Sequence, residues 1–234
     1  INMAIDEVLL SSRVPVLRLY QWKPCAVSIG RYQDLNDIDL EYCTENGIDV
    51  VRRLTGGKAV LHEKELTYSF IIDKDEMPRS IIESYKIISS AIIQGLKTLG
   101  LNPEMNSSKI ENRDNPVCFQ EQSFNELTIN RKKFVGSAQV RKKGKLLQHG
   151  SILTGIDTEK HSSCFKEKPE THDLKKRITY IDIPEKNLKS AIKQGFSEYF
   201  NTNLNGRSIC GKELSGAKEL ARTKYRLEAI SVKA

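Results

Sequence analysis

The chain has 234 residues, of which 38% are hydrophobic, and this length suffices for one large domain with an ample core. Lysine and arginine total 37 against 30 acidic residues, so the formal charge of +7 favours acidic partners. No apolar run approaches the roughly 20 residues of a membrane span, and no zinc-finger, aromatic RNA-binding or basic-helix motif is found. We therefore expect neither a membrane nor nucleic acid among the partners.

Five cysteines are scattered along the chain, without a CxxC pair or a histidine at zinc-finger spacing. This pattern argues against a structural metal and against a complete disulfide framework, and a reducing cytoplasm is the expected location. Residues 1–234 are predicted to form a single domain. Because Ile1 falls inside a helical pattern, we expect the N-terminus to be truncated.

The first half of the chain contains strand-like apolar runs and two helical patterns that close on glycines. The predicted strands are Val14–Tyr20, Ala26–Ile29, Ile48–Arg53 and Leu66–Ile72. The predicted helices are Asp34–Asn46, before Gly47, and Arg79–Leu99, before Gly100.

The second half opens with a polar, aperiodic stretch, residues 106–116, which is expected to be a mobile loop. Three strand-like runs joined by basic turns then predict a meander, and residues 158–176 are expected to be partly ordered. Strands without βαβ alternation favour the α+β class over a Rossmann sheet. The meander strands are Glu126–Asn130, Lys133–Val140 and Leu146–Leu153, and the last helices are Pro184–Phe200 and Lys212–Tyr225.

The most informative segment is Arg52–His62, in which arginines, a threonine and a glycine pair lie between two strand-like runs. It predicts a hairpin bend, since Gly56 and Gly57 can take positive φ and leave the main chain open to a ligand. Arg52, Arg53 and Lys58 would add positive charge, which suits an anionic or carbonyl-bearing ligand. On these residues alone, an ordinary basic hairpin is an equal alternative.

Two further runs are KFVGSAQ, residues 133–139, and LQHGSIL, residues 147–153. Together with RRLTGG, they resemble the lipoate-protein ligase and octanoyltransferase family, whose members carry RRxTGG or RRxSGG, then KxxGxA, then HG followed by Ser or Thr. The matches come in the family's order. Asn2–Glu7 and Trp22–Gly30 also resemble the family's opening helix and first strands, so the resemblance covers most of the chain.

The resemblance implies the catalytic-domain fold shared by biotin and lipoate ligases, with a mixed, mostly antiparallel sheet, flanking helices and a second, smaller sheet. It also implies a substrate site without a metal. The residues matched to that site are Arg53, Thr55, Gly56, Gly57, His62, Gly136, Ala138, Gln139, His149, Gly150 and Ser151.

Two residues are predicted to be catalytic. The lysine that matches Lys133 touches the acyl carbonyl in the family, and an ammonium there would stabilise an oxyanion. A solvated strand lysine is the alternative, and in either case we expect Lys133 to contribute little to the core. Cys118 is similar in position to the acyl-accepting cysteine of octanoyltransferases that resemble lipoate ligases. Its alternative role is that of a small buried hydrophobe.

His62 and His149 are assigned to the binding site and not to proton transfer, because no carboxylate lies near them in sequence in an obvious triad. ATP-using ligases of the family typically read GGGxVxHD, whereas Lys58 replaces the third glycine here and Glu63 follows His62. These two differences count against a nucleotide site. We also expect no accessory domain like that of the larger ligases, because the chain is too short for one, and this favours the transferase branch.

The resemblance thus predicts an octanoyltransferase that uses no cofactor. It would move an octanoyl group from acyl carrier protein, through a Cys118 thioester, to a lysine of a lipoyl domain or of the glycine cleavage H protein. The first alternative is a lipoate-protein ligase that uses ATP and Mg²⁺ and forms an acyl-adenylate. The second is a non-catalytic relative that binds a carrier protein.

Overall fold

Two sheets form the frame of the protein in a computed structural model that describes residues 1–106 and 126–225. Cys118 and nearly all of the predicted loop 106–116 lie outside the described residues. The strands are β1 Val16–Tyr20, β2 Ala26–Ile29, β3 Asp49–Arg52, β4 Val60–His62, β5 Glu65–Asp73, β6 Glu104–Met105, β7 Leu127–Ile129, β8 Lys132–Lys142 and β9 Lys145–Leu153.

The larger sheet has six strands in the order β1-β5-β9-β8-β7-β6, and all of its neighbouring strands are antiparallel. The smaller sheet has the order β3-β2-β4, with β3 parallel and β4 antiparallel to β2. The α+β class and the mixed, mostly antiparallel architecture are therefore confirmed.

The described helices are α1 Asn2–Leu9, α2 Leu40–Glu45, α3 Ile81–Lys97, α4 Thr158–Ser163, α5 Thr171–Arg177, α6 Glu185–Tyr199 and α7 Gly211–Thr223. None of them is both long and apolar enough to cross a membrane. The predicted helix 34–46 is in fact two pieces, a 3₁₀ turn at Leu35–Asp37 and then α2. Asp34 and Asp39 each cap one piece by accepting a backbone N–H, so the second cap interrupts the helix.

The predicted hairpin at residues 52–62 is wrong. β3 and β4 do not pair with each other but lie on opposite sides of β2, so the glycine segment crosses over the end of β2. The crossing is tight, because a Cβ placed on Gly30 would lie 1.7 Å from the carbonyl oxygen of Gly57. Gly57 itself has φ +86°, a conformation that a β-branched residue resists.

The predicted meander is confirmed, since β7, β8 and β9 are consecutive antiparallel neighbours. Its turns have positive φ at Asn130 and Arg131 and at Lys143 and Gly144. Such paired positive values match the twist of two-residue hairpins. The meander carries the KxxGxA and HGS runs on adjacent strands, with Gly136 opposite Ser151 and Ala138 opposite His149.

Helices cover both faces of the larger sheet. Phe70 of β5 packs in a core with α3 and α6, whereas the next residue, Ile71, packs with α1 and α7. Side chains of a strand alternate between faces, which is why successive residues serve different cores. The larger sheet is therefore enclosed between two layers of helices.

Helices α3 and α6 touch through glycines. A Cβ on Gly195 would lie 2.3 Å from the carbonyl oxygen of Ala91, and one on Gly95 would lie 2.3 Å from that of Ala191. Both positions therefore need to lack a side chain for the helices to approach this closely.

We predict that Gly195→Ala lowers the free energy of unfolding by about 1–3 kcal/mol, because the added methyl group forces the helices apart. Gly206→Ala is the matched control, since nothing lies within 4 Å of its Cβ position. Urea unfolding of both variants measures the effect. Equal stability of Gly195→Ala and wild type would contradict the packing described here.

Candidate active site

A cavity of about 540 Å³ opens between the smaller sheet, the meander and the glycine segment. This volume is within the usual range for small-molecule sites. Most residues predicted from the sequence to bind substrate line it. They are Arg53, Gly56, Gly57, His62, Gly136, Ala138, Gln139, His149, Gly150 and Ser151.

Two predicted residues lie behind the wall of the cavity. Thr55 is fully buried and reaches His149, and Lys133 is fully buried against Glu126, which does line the cavity. Cys118 lies outside the described residues. Asn106 and Glu126 are in contact, since the Asn106 amide donates to the Glu126 carbonyl at 2.8 Å.

Arg53 fixes the course of the glycine segment from within. Its Nη2 donates to the carbonyls of Gly56 at 2.7 Å and Lys58 at 2.8 Å, and its Nη1 donates to the carbonyl of Ser28 at 2.8 Å. The side chain is buried, so these bonds compensate for removing its charge from water. Arg53 thereby ties the segment to β2.

The Arg53 guanidinium also orients two hydroxyl groups. Its Nε donates to Thr55 Oγ1 at 3.2 Å and its Nη1 to Ser28 Oγ at 3.3 Å. Arginine cannot accept a hydrogen bond, so each hydroxyl is an acceptor there. Thr55 Oγ1 also lies 2.7 Å from His149 Nε2, and Ser28 Oγ lies 2.7 Å from His62 Nε2.

His149 faces a buried carboxylate on its other side. Its Nδ1 lies 3.6 Å from Asp6 Oδ2, and Asp6 also accepts from Arg18 and Ser69. Burial lowers the pKa of the His149 imidazole. Burial disfavours the Asp6 carboxylate, but the hydrogen bonds and charges of His149 and Arg18 outweigh it, so the pKa of Asp6 is lowered.

His62 has its own carboxylate partner. Its Nδ1 lies 2.8 Å from Glu65 Oε1, which also accepts the hydroxyl of Ser151 at 2.8 Å and that of Thr67. The Trp22 ring stacks on the imidazole at 4.2 Å between centroids, and its indole N–H donates to Thr67 at 2.9 Å. The His62 imidazole is therefore held by Ser28 and Glu65 at its two nitrogens and by Trp22 on one face.

Neither carboxylate was found by sequence reasoning. Asp6 lies on the first helix, far from His149 in sequence, and reaches it only because α1 covers the larger sheet. Glu65 follows His62 closely, but β4 and β5 belong to different sheets, so no strand periodicity places the two together. The cavity residues that were also missed are Met3, Tyr20, Trp22, Ser28, Tyr85 and Ser137.

The expectation that Lys133 contributes little to the core is wrong. The side chain is completely buried, and its Nζ donates to Glu126 Oε1 at 2.5 Å. A buried ion pair that loses one partner leaves an uncompensated charge, which is strongly destabilising. Lys133 is therefore part of the framework as well as a neighbour of the cavity.

Ser137, on the opposite wall, anchors α3 and β5 to the meander. Its carbonyl accepts from the Tyr85 hydroxyl at 2.9 Å, and its Oγ lies 2.7 Å from the Tyr68 hydroxyl. Burial raises the pKa of Tyr68 to about 12, so this hydroxyl remains protonated. Gly150 faces the same contact, and a Cβ there would lie 2.5 Å from Ser137 Oγ.

The Lipoyl protein ligase A/B catalytic domain family matches residues 1–198 of the chain. The chain belongs to this family. Octanoyltransferase LipM of Clostridioides difficile is 39% identical, over 99% of this chain and 94% of the relative. The LipM proteins of Geobacillus kaustophilus and Bacillus subtilis are 38% and 36% identical, each over 96% of this chain and 90% of the relative.

Solved structures of the family have the same fold. A lipoate-protein ligase A bound with ATP has a TM-score of 0.79 at 28% identity, covering 93% of this chain and 87% of that one. The bipartite lipoate protein ligase of Thermoplasma acidophilum has a TM-score of 0.76 at 26% identity, covering 94% and 86%. The resemblance read from the motifs is thus confirmed.

We predict that Gly57→Val closes the cavity to acyl ligands while the domain stays folded. A Cβ on Gly57 lies 2.9 Å from Arg53 Nη2, and the residue has positive φ. Trp22 is the single tryptophan of the chain and lines the cavity, so its fluorescence reports occupancy. Titration with octanoate is expected to change that fluorescence in wild type but not in Gly57→Val.

Gly144→Val is the control for backbone strain, because Gly144 also has positive φ, has nothing within 4 Å of its Cβ position and does not line this cavity. The octanoate response is expected to survive in it. A normal response in Gly57→Val would mean that the glycine segment does not border the acyl site.

Proposed function

We propose that this protein is an octanoyltransferase of lipoate biosynthesis. It would take an octanoyl group from acyl carrier protein and attach it to a lysine of a lipoyl domain or of the glycine cleavage H protein. The observation that carries the proposal is the cavity bordered by both family motifs, in a chain whose near full-length relatives bear the name octanoyltransferase.

The proposed reaction has two acyl transfers. The Cys118 thiolate attacks the carrier thioester, a new carbon–sulfur bond forms, and the carrier thiol leaves with a proton. The target lysine amine then attacks the Cys118 thioester, forming an amide and releasing the thiol. Conversion of a thioester to an amide is downhill, so no nucleotide is required.

Lys133 would stabilise the oxyanion that develops in each transfer. Its ammonium is buried directly behind the cavity wall and is held by Glu126, which lines the cavity. A preorganised positive charge acts strongly at such a site, because it does not have to be oriented during the reaction. Gly136 and Ala138 line the cavity on the same strand and leave room for the acyl chain.

One contact favours this reading over an ATP-dependent ligase. Glu63 stands where ATP-using ligases of the family typically carry aspartate, and its Oε1 accepts from Lys160 Nζ at 2.7 Å. The carboxylate is thus engaged in an ion pair with α4. Lys58 in place of the third glycine also fills part of the cavity wall.

We predict that Cys118→Ala abolishes octanoyl transfer from carrier protein to a lipoyl domain, because the thioester intermediate needs that sulfur. Octanoyl carrier protein without ATP, and free octanoate with ATP and Mg²⁺, are tested as donors on one acceptor domain. Cys210→Ala is the matched control, since Cys210 is exposed and does not line the cavity.

Intact-mass and peptide measurements identify the adduct and the product. Ligation by Cys118→Ala with ATP at the wild-type rate would favour the ligase. Absence of any acyl adduct on wild type with either donor would favour a non-catalytic carrier-binding protein.

We predict that Lys133→Met lowers both stability and activity. It leaves Glu126 without its buried ammonium partner, at a cost of about 2 kcal/mol or more, and removes the oxyanion donor, at a cost on the order of 100-fold in rate. The double variant Lys133→Met with Glu126→Gln is expected to recover stability but not activity. Recovery of both would show that Lys133 serves only the fold.

A further inference from the structure

A line of three hydrogen-bonded side chains leads away from the cavity. Ser28 Oγ lies 2.7 Å from His62 Nε2, and His62 Nδ1 lies 2.8 Å from Glu65 Oε1. Ser28 and His62 line the cavity, whereas Glu65 lies behind them. All three are more than nine-tenths buried, with relative exposures of 1%, 6% and 1%.

The donors around this line fix the direction of its protons. His62 Nδ1 lies 2.8 Å from Glu65 Oε1, and the tautomer with its proton on Nδ1 donates to that acceptor oxygen. In this tautomer Nε2 carries no proton and accepts the Ser28 hydroxyl at 2.7 Å. Glu65 Oε1 also accepts from Thr67 and Ser151, so this oxygen carries no proton of its own.

The arrangement has the geometry of a hydroxyl, a base and an orienting carboxylate, which suits removal of a proton at the cavity wall. The stacked Trp22 ring keeps the imidazole in place, and the Trp22 indole holds Thr67. Glu65 would stabilise the imidazolium that forms when Nε2 takes up a proton.

The proposed reaction contains a step that needs such a base. A lysine side chain is an ammonium near neutral pH, and it has no lone pair with which to attack a thioester until it loses a proton. None of the steps assigned above to Cys118 and Lys133 accounts for this proton.

The geometry points to Ser28, His62 and Glu65 as the proton relay that activates the acceptor lysine, an assignment that rests on the proposed octanoyl transfer. The ammonium gives one proton to Ser28 Oγ while the serine proton passes to His62 Nε2. The amine attacks the carbonyl, the carbon–sulfur bond breaks, and the second proton lost from nitrogen goes to the departing thiolate. His62 then returns its proton to solvent.

His149 is the less suitable histidine for this step. Its hydroxyl partner, Thr55, does not line the cavity, and its Nδ1 is 3.6 Å from Asp6, which shares its charge with Arg18. In contrast, Ser28 offers a hydroxyl at the cavity and Glu65 bonds directly to His62.

The test separates formation of the acyl-enzyme from its discharge. Wild type, His62→Gln, Glu65→Gln and Ser28→Ala are loaded with octanoyl carrier protein, and loading is followed by intact mass. The loaded proteins are then mixed with a lipoyl domain or with hydroxylamine, which is uncharged at neutral pH and needs no base. His172→Gln is the matched control, because His172 is exposed and does not line the cavity.

Each variant is compared by the ratio of its discharge rates to lysine and to hydroxylamine, measured on the fraction that is loaded, so that a change in loading does not enter the result. Transfer from His62→Gln to the lipoyl-domain lysine is expected to be slower by about 100-fold or more, in the limiting rate and not in the half-saturating acceptor concentration. His172→Gln is expected to behave as wild type. If His62→Gln does not fold, Ser28→Ala, which loses only one hydroxyl, carries the same test.

Equal slowing of hydroxylamine and lysine discharge would overturn the relay and indicate a general role in shaping the cavity. Unchanged lysine transfer in the folded variants would also overturn it while leaving octanoyl transfer intact. An acyl ester mapped to Ser28 of wild type would make the serine a nucleophile instead. Failure of wild type to form an acyl-enzyme would reject the proposed function itself, and the relay with it.

Discussion

The buried guanidinium of Arg53 is the interaction on which the site depends. It donates to the carbonyls of Ser28, Gly56 and Lys58, and so joins the end of β2 to the segment that crosses over it. A buried arginine is stable only when its donors are satisfied, and main-chain carbonyls held at fixed positions satisfy them well. The same side chain orients the Ser28 and Thr55 hydroxyls. One residue therefore sets the path of the main chain and also bonds to the two hydroxyls that contact the histidines.

Buried carboxylates also fix the positions of the basic side chains at the cavity. Asp6, Glu65 and Glu126 come from different elements, and each meets a nitrogen group of the site: His149, His62 or Lys133. Burying such charges is costly unless each is paired and hydrogen-bonded. The pairs consequently restrict the positions of the histidines and the lysine far more than solvent-exposed contacts would.

The family uses one fold for more than one chemistry. A ligase bound with ATP has a TM-score of 0.79 to this chain, so the backbone alone does not distinguish a ligase from a transferase. Two side chains differ from the motif that the resemblance gives for ATP-using ligases. Lys58, which lines the cavity, stands in place of glycine, and Glu63, which pairs with Lys160, stands in place of aspartate.

The sequence by itself determined the strands of the meander, the helix at Ile81–Lys97 and about half of the residues that line the cavity. These features follow from local apolar periodicity, turn residues and a family motif, all of which are read within short windows. The helix predicted at residues 34–46 is divided in the structure into a 3₁₀ turn and α2, because Asp34 and Asp39 each cap one of the two pieces.

Only the tertiary structure decided the features that depend on distant partners. The glycine segment crosses β2 and is not a hairpin, because β3 and β4 each pair with β2 and not with each other. His62 and His149 each face a carboxylate that no sequence spacing predicts, and Lys133 is buried because Glu126 supplies its counter-charge. Strand pairing and charge burial are set by which side chains arrive from elsewhere in the chain, and that information is not present in any local pattern.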